Sequence, residues 1–110
     1  MLICLVVPRQ AFALTGEAIK PMCAEVESTA ASSPGATFCA GFMIGLVGGW
    51  NAAVSSAQST PPLCYRKVVT PAQLGLVFSK YLRDHPEQLH ESVFVLGIRA
   101  LDAAFPCPAK

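Results

Sequence analysis

The sequence predicts an all-α domain, a small antiparallel bundle of four to five helices stapled by two disulfides. Three observations predict it. Apolar residues recur at helical spacing in four segments, and no segment sustains strand alternation. Capping residues and prolines punctuate those segments. Four of the five cysteines lie beyond a distinct N-terminal stretch, an even number suited to pairing.

That stretch is Met1 to Ala13. Met1 to Val7 is almost wholly apolar, and Ala11-Phe12-Ala13 has the small-x-small form of a signal-peptidase site. Residues 1–13 therefore read as a truncated signal-peptide remnant, with the helical domain covering residues 14–110. The competing reading is a short hydrophobic arm. Removal of residues 1–13 takes away Cys4 and Arg9, leaving seven basic against seven acidic residues. Such a balanced charge argues against a nucleic-acid partner, which would demand clustered Lys and Arg.

The first helix starts after Thr15, an N-cap, with Leu14 and Ile19 placed for a hydrophobic staple. Ile19, Met22, Cys23 and Val26 paint one apolar face. Pro21 leaves two alternatives open: a helix from Gly16 that carries the proline inside it, or one that begins near Pro21. Ser28 to Thr37, rich in Ser, Ala, Pro and Gly, reads as an exposed loop.

From Ala36 to Gln58 the chain carries no charge, and Gly41, Gly45 and Gly49 recur every fourth residue. Such a ridge also packs transmembrane helices, so a single span through residues 36–58 is a rival reading. Thr37, Cys39, Asn51, Ser55 and Ser56 dilute the run, and basic anchors are missing from its flanks. We expect a central bundle helix whose glycine face lets a neighbour approach closely, and no membrane insertion of the mature chain. Phe42, Met43 and Trp50 sit at core spacing.

Pro61-Pro62 stops that helix, and Cys64 follows. Thr70-Pro71-Ala72-Gln73 is a capping box with proline at the first helical position. Leu74, Val77, Phe78, Tyr81 and Leu82 form the buried stripe of this third helix, which ends at Asp84-His85 because Pro86 follows. Pro86 and Glu87 are expected to begin the fourth helix, its stripe being Leu89, Val93, Leu96, Gly97, Ala100, Leu101 and Ala104. Phe105-Pro106 stops it before Cys107.

Helices joined by short connections run antiparallel. Cys23 and Cys39 then share one end of the bundle, and Cys64 and Cys107 the other. Of three connectivities, Cys23–Cys39 with Cys64–Cys107 needs no long reach.

No constellation of residues looks catalytic, and the chain is expected to be no enzyme. Cys39 with His85 as nucleophile and base would lie in different layers, and a disulfide accounts for Cys39 more simply. Neither a metal site nor a cofactor is expected; His85 and His90 do not share a helical face. The corner Arg83-Asp84-His85-Pro86-Glu87-Gln88 stands apart: polar, mixed in charge, and held at the tip of a helical hairpin, where binding residues tend to lie.

The ordered set Phe38-Cys39-Ala40-Gly41-Phe42-Met43-x-Gly45, Cys64, Thr70-x-x-Gln73-Leu74, Tyr81-Leu82-x-x-His85-Pro86-Glu87 and Ala104-Phe105-Pro106-Cys107 resembles the Tai (type VI amidase immunity) family. Relatives of that family include the resistance-associated immunity proteins. The resemblance covers most of residues 14–108, and Pro21 departs from it. It implies a periplasmic protein, often a homodimer, that binds a papain-like peptidoglycan amidase effector delivered by type VI secretion and occludes its catalytic cleft. On this chain the implied contact residues are Arg83, Asp84, His85, Pro86, Glu87 and Gln88. The alternative is an envelope structural or chaperone-like protein of the same fold without a toxin partner.

Overall fold

A computed structural model describes residues 14–28, 33–57, 64 and 69–107. The expected signal remnant at residues 1–13 and the Pro61-Pro62 stop lie outside them. Four α-helices follow in order: α1 (Gly16–Ala24), α2 (Pro34–Ala57), α3 (Pro71–Asp84) and α4 (Val93–Ala104). Short 3-10 turns occupy Glu25–Glu27 after α1 and Pro86–Gln88 after α3.

Local chemistry starts each helix. Thr15 Oγ1 accepts from the Ala18 amide at 3.3 Å, so α1 begins at Gly16 and Pro21 lies inside it. Pro21 is exposed, where water is available to the carbonyl that lost its donor. The capping box is complete: the Gln73 amide donates to Thr70 Oγ1 at 3.1 Å, and the Thr70 amide donates to Gln73 Oε1 at 2.8 Å. The loop expected over Ser28 to Thr37 ends sooner. Ser33 Oγ accepts from the Ala36 amide at 3.2 Å, and Pro34 opens α2. A serine followed by proline was the signal for that start.

The start of α4 also departs from expectation. Pro86 and Glu87 make one 3-10 turn, and the α-helix begins at Val93, with Ser92 Oγ accepting from the Phe94 amide at 3.2 Å. The reason is tertiary. The Glu17 and Gly16 amides donate to the Leu89 and Glu91 carbonyls at 2.8 and 3.0 Å, and the Val93 amide donates to the Leu14 carbonyl at 3.0 Å. Amides at the start of α1 have no helical partner of their own. Here they take carbonyls from residues 89–91, which cannot then continue a helix. Gly16 permits this approach, since a Cβ there would lie 3.2 Å from the Leu89 Cα and collide with Leu96. Gly16→Val is expected to cost about 1–3 kcal/mol. Urea unfolding checks this, and an unchanged midpoint would contradict it.

The core draws on every helix: Ile19 and Cys23 from α1, Cys39, Met43 and Val47 from α2, Leu74, Phe78 and Leu82 from α3, and Val93, Leu96, Ala100 and Leu101 from α4. Phe78 is fully enclosed, its ring stacked on Phe42 at 5.7 Å between centroids. Ala104, expected in the buried stripe of α4, is exposed.

The central helix is buried along one narrow stripe. Past Val47 none of its described side chains is buried, and Trp50, expected in the core, is half-buried. Nor does the glycine ridge meet a neighbour among the described residues. A Cβ added at Gly41, Gly45 or Gly49 would have no atom within 4 Å. Periodicity identified the face, but the bundle packs on the Cys39-Met43-Val47 stripe instead. By length and composition α2 could cross a membrane; in this fold it is disulfide-bonded to α1 and packs on α3.

Cys23 pairs with Cys39 and Cys64 with Cys107, with Cα separations of 5.1 and 5.0 Å. Helix polarity pointed to this connectivity. The two bridges differ in setting: Cys23 and Cys39 are wholly buried, whereas Cys64 is half-buried and Cys107 exposed. Mild reductant is therefore expected to open Cys64–Cys107 first. Mass mapping of alkylated thiols during a reduction time course checks the order; simultaneous opening would contradict it.

Candidate functional site

The corner between α3 and α4 is built from residues 83–88 and braced from three sides. At its base, the carboxylate of Glu27 crosses from the turn after α1. The buried Ser79 hydroxyl donates to Glu27 Oε2 at 2.7 Å, and Arg83 Nη1 donates to Glu27 Oε1. The Ser79 bond, then the Arg83 bond, hold the Glu27 carboxyl below its ordinary 4.5. Asp84, paired with Lys80 at 2.7 Å, and Glu91, paired with Arg99 at 2.6 Å, are lowered by those bonds in the same way.

A carboxylate depressed in the folded state adds stability above its unfolded pKa, and that contribution is lost as pH falls through the folded value. Stability is expected to hold at neutral pH and to fall below about pH 4.5. Glu27→Gln should lose less on acidification than the wild type in urea titrations at pH 7 and pH 3. An identical acid loss in both would contradict the assignment.

On the α4 side, Gln88 Oε1 accepts from the Tyr81 hydroxyl at 2.9 Å and from Arg99 Nη1 at 3.1 Å. Arg99 also donates to Glu91, so one guanidinium ties the corner to the segment before α4. His85 caps α3, its ring lying against Tyr81 at 4.1 Å between centroids, and its Nδ1 sits 3.4 Å from Glu87 Oε2. Pro86 fixes the backbone at the tip.

The six expected contact residues therefore come together: His85 lies against Tyr81, and the other five fall into two groups. Arg83, Asp84 and Gln88 spend their polar atoms on Glu27, Lys80, and Tyr81 with Arg99. Pro86 and Glu87 project, and the Glu87 carboxylate is 62% exposed. Sequence reasoning missed the bracing residues Glu27, Tyr81, Glu91 and Arg99. Only Lys80, four residues before Asp84 on one helix, carried a local signal. Cys39, weighed as a nucleophile with His85, has its sulfur in the buried disulfide.

The described residues thus form a disulfide-stapled helical scaffold that presents a braced polar corner. A family model described as Rap1a immunity proteins matches residues 15–107, and the chain belongs to that family. The resemblance stated for the sequence thus holds at the level of immunity proteins, whose class implies a toxin effector as partner. No curated protein and no solved structure matches the chain.

Proposed function

We propose that this chain is a non-enzymatic, periplasmic immunity protein. It binds a papain-like peptidoglycan amidase delivered by type VI secretion and occludes its catalytic cleft with the corner 83–88. The observation that carries this reading is the bracing of the corner. Bonds from Glu27, Ser79, Tyr81 and Arg99 fix its shape before any partner arrives, which lowers the ordering cost of binding. A wedge needs only this rigidity and complementary polar groups. Two disulfides suit an oxidising compartment, and an export signal at residues 1–13 would deliver the chain there.

A homodimer completes the reading. Phe94 is 60% exposed and Val95 43%, beside the half-buried Leu46, Trp50 and Ile98. An apolar patch of this kind marks an interaction surface, and pairing of two copies through it is our proposal. Phe94→Asp is expected to convert a dimer to a monomer in sedimentation; a wild-type monomer at every concentration would contradict the pairing.

Co-expression in the periplasm with a type VI papain-like amidase tests the main proposal. The wild type is expected to rescue cells from lysis. Asp84→Lys with Glu87→Lys is expected to lose rescue while circular dichroism stays unchanged. Lysis unaffected by the wild type would overturn the reading.

A further inference from the structure

Beside the corner, between α3 and the end of α4, lies a groove of about 320 Å³. Its origin is legible in the side chains. On the α4 side Ala100, Ala103 and Ala104 share one face at i, i+3, i+4, and their methyls stop short of α3. Opposite them stand Val77 and Tyr81, both half-buried, with His85 at the end nearest the tip. The space is at the lower end of the size of a ligand pocket. Lys80 and Asp84 line it too, but they neutralise one another at 2.7 Å.

The charge inventory says what would sit there. Each cation at the corner already has a carboxylate: Arg83 has Glu27, Arg99 has Glu91 and Lys80 has Asp84. Glu87 is the exception. Its exposed carboxylate faces the His85 ring at 3.4 Å, its sole ion-pair contact among the described residues. His85 therefore joins the two features, since its ring lines the groove and its Nδ1 meets Glu87.

We infer that the corner recognises a two-part determinant on a protein loop: an aliphatic or aromatic side chain seated in the alanine-lined groove, and an adjacent cationic side chain held by Glu87. The inference rests on the corner being the partner-binding face. Charge complementarity selects a basic loop, because an acidic one would meet Glu87, and among the described residues the corner's cations Lys80, Arg83 and Arg99 are already paired.

The test uses the full oxidised chain and defined peptides, with amide chemical shifts as readout. Acetyl-leucyl-arginine amide is expected to give saturable shifts confined to residues 77–88 and 100–104. Acetyl-glycyl-arginine amide and acetyl-leucyl-glutamate amide are expected to bind at least about tenfold more weakly. Ala103→Trp fills the groove from an exposed position and is expected to weaken the leucyl-arginine peptide by a similar factor; Ala104→Arg serves if the tryptophan disturbs the spectrum. Glu87→Gln is expected to remove the preference for arginine over glutamate. No saturable shifts, equal binding of the three peptides, or groove-filling variants that bind as the wild type would each overturn the inference. No amidase enters this experiment, so its failure leaves the immunity reading standing. Failure of lysis rescue, in turn, leaves the peptide result standing.

Discussion

Phe78→Ala is expected to cost about 3–5 kcal/mol, the largest loss available from one core side chain. Phe78 has no exposed surface and stacks on Phe42 at 5.7 Å, so truncation removes buried apolar area and an aromatic pair together. It sits in the middle of α3, between Leu74 and Leu82, where α1, α2 and α4 all contribute to the same cluster. The cavity left behind would lie inside that cluster. Leu76→Ala is the control, two residues away but 43% exposed. Urea unfolding at neutral pH checks both. Equal losses for Phe78→Ala and Leu76→Ala would contradict the placement of the core.

The second large effect is expected from Cys23→Ala with Cys39→Ala. Its loop of 16 residues is worth about 3 kcal/mol on the chain-entropy account. Both sulfurs are also fully buried, so the double variant loses core packing besides the cross-link. For a domain whose whole stability is about 5–15 kcal/mol, that is a large share. The bridge ties α1 to α2, and the turn after α1 carries Glu27, the carboxylate that holds Arg83 at the corner. Loosening this bridge is therefore expected to weaken partner binding as well as stability. The comparison is Cys64→Ala with Cys107→Ala, which closes a longer loop but vacates no fully buried site. If only the second pair altered the shifts of Arg83 and Glu27, the proposed coupling would be wrong.

What the sequence made legible was local. Thr15, Thr70 and Gln73 announced helix starts because a cap is made within one turn of chain. The cysteine pairing followed from helix polarity. The polar corner was visible because Asp84-His85-Pro86 must end a helix. What escaped was decided by residues far away in the chain. Val93, rather than Pro86, starts α4 because Leu14, Gly16 and Glu17 hydrogen-bond to residues 89–93. Arg83 and Gln88 are held by Glu27 and Arg99, 56 and 11 residues away in the chain. The Gly41-Gly45-Gly49 ridge announced a close-packing face, but spacing alone does not say whether a neighbour arrives, and among the described residues none does.

The most direct measurement is calorimetric titration of the oxidised chain into a purified type VI papain-like peptidoglycan amidase, with peptidoglycan hydrolysis assayed on the same samples. Saturable binding that abolishes hydrolysis is expected, weakened at least about tenfold by Glu87→Lys with no loss of helicity. Hydrolysis that continues at saturating immunity protein, or inhibition that Glu87→Lys leaves untouched, would contradict it.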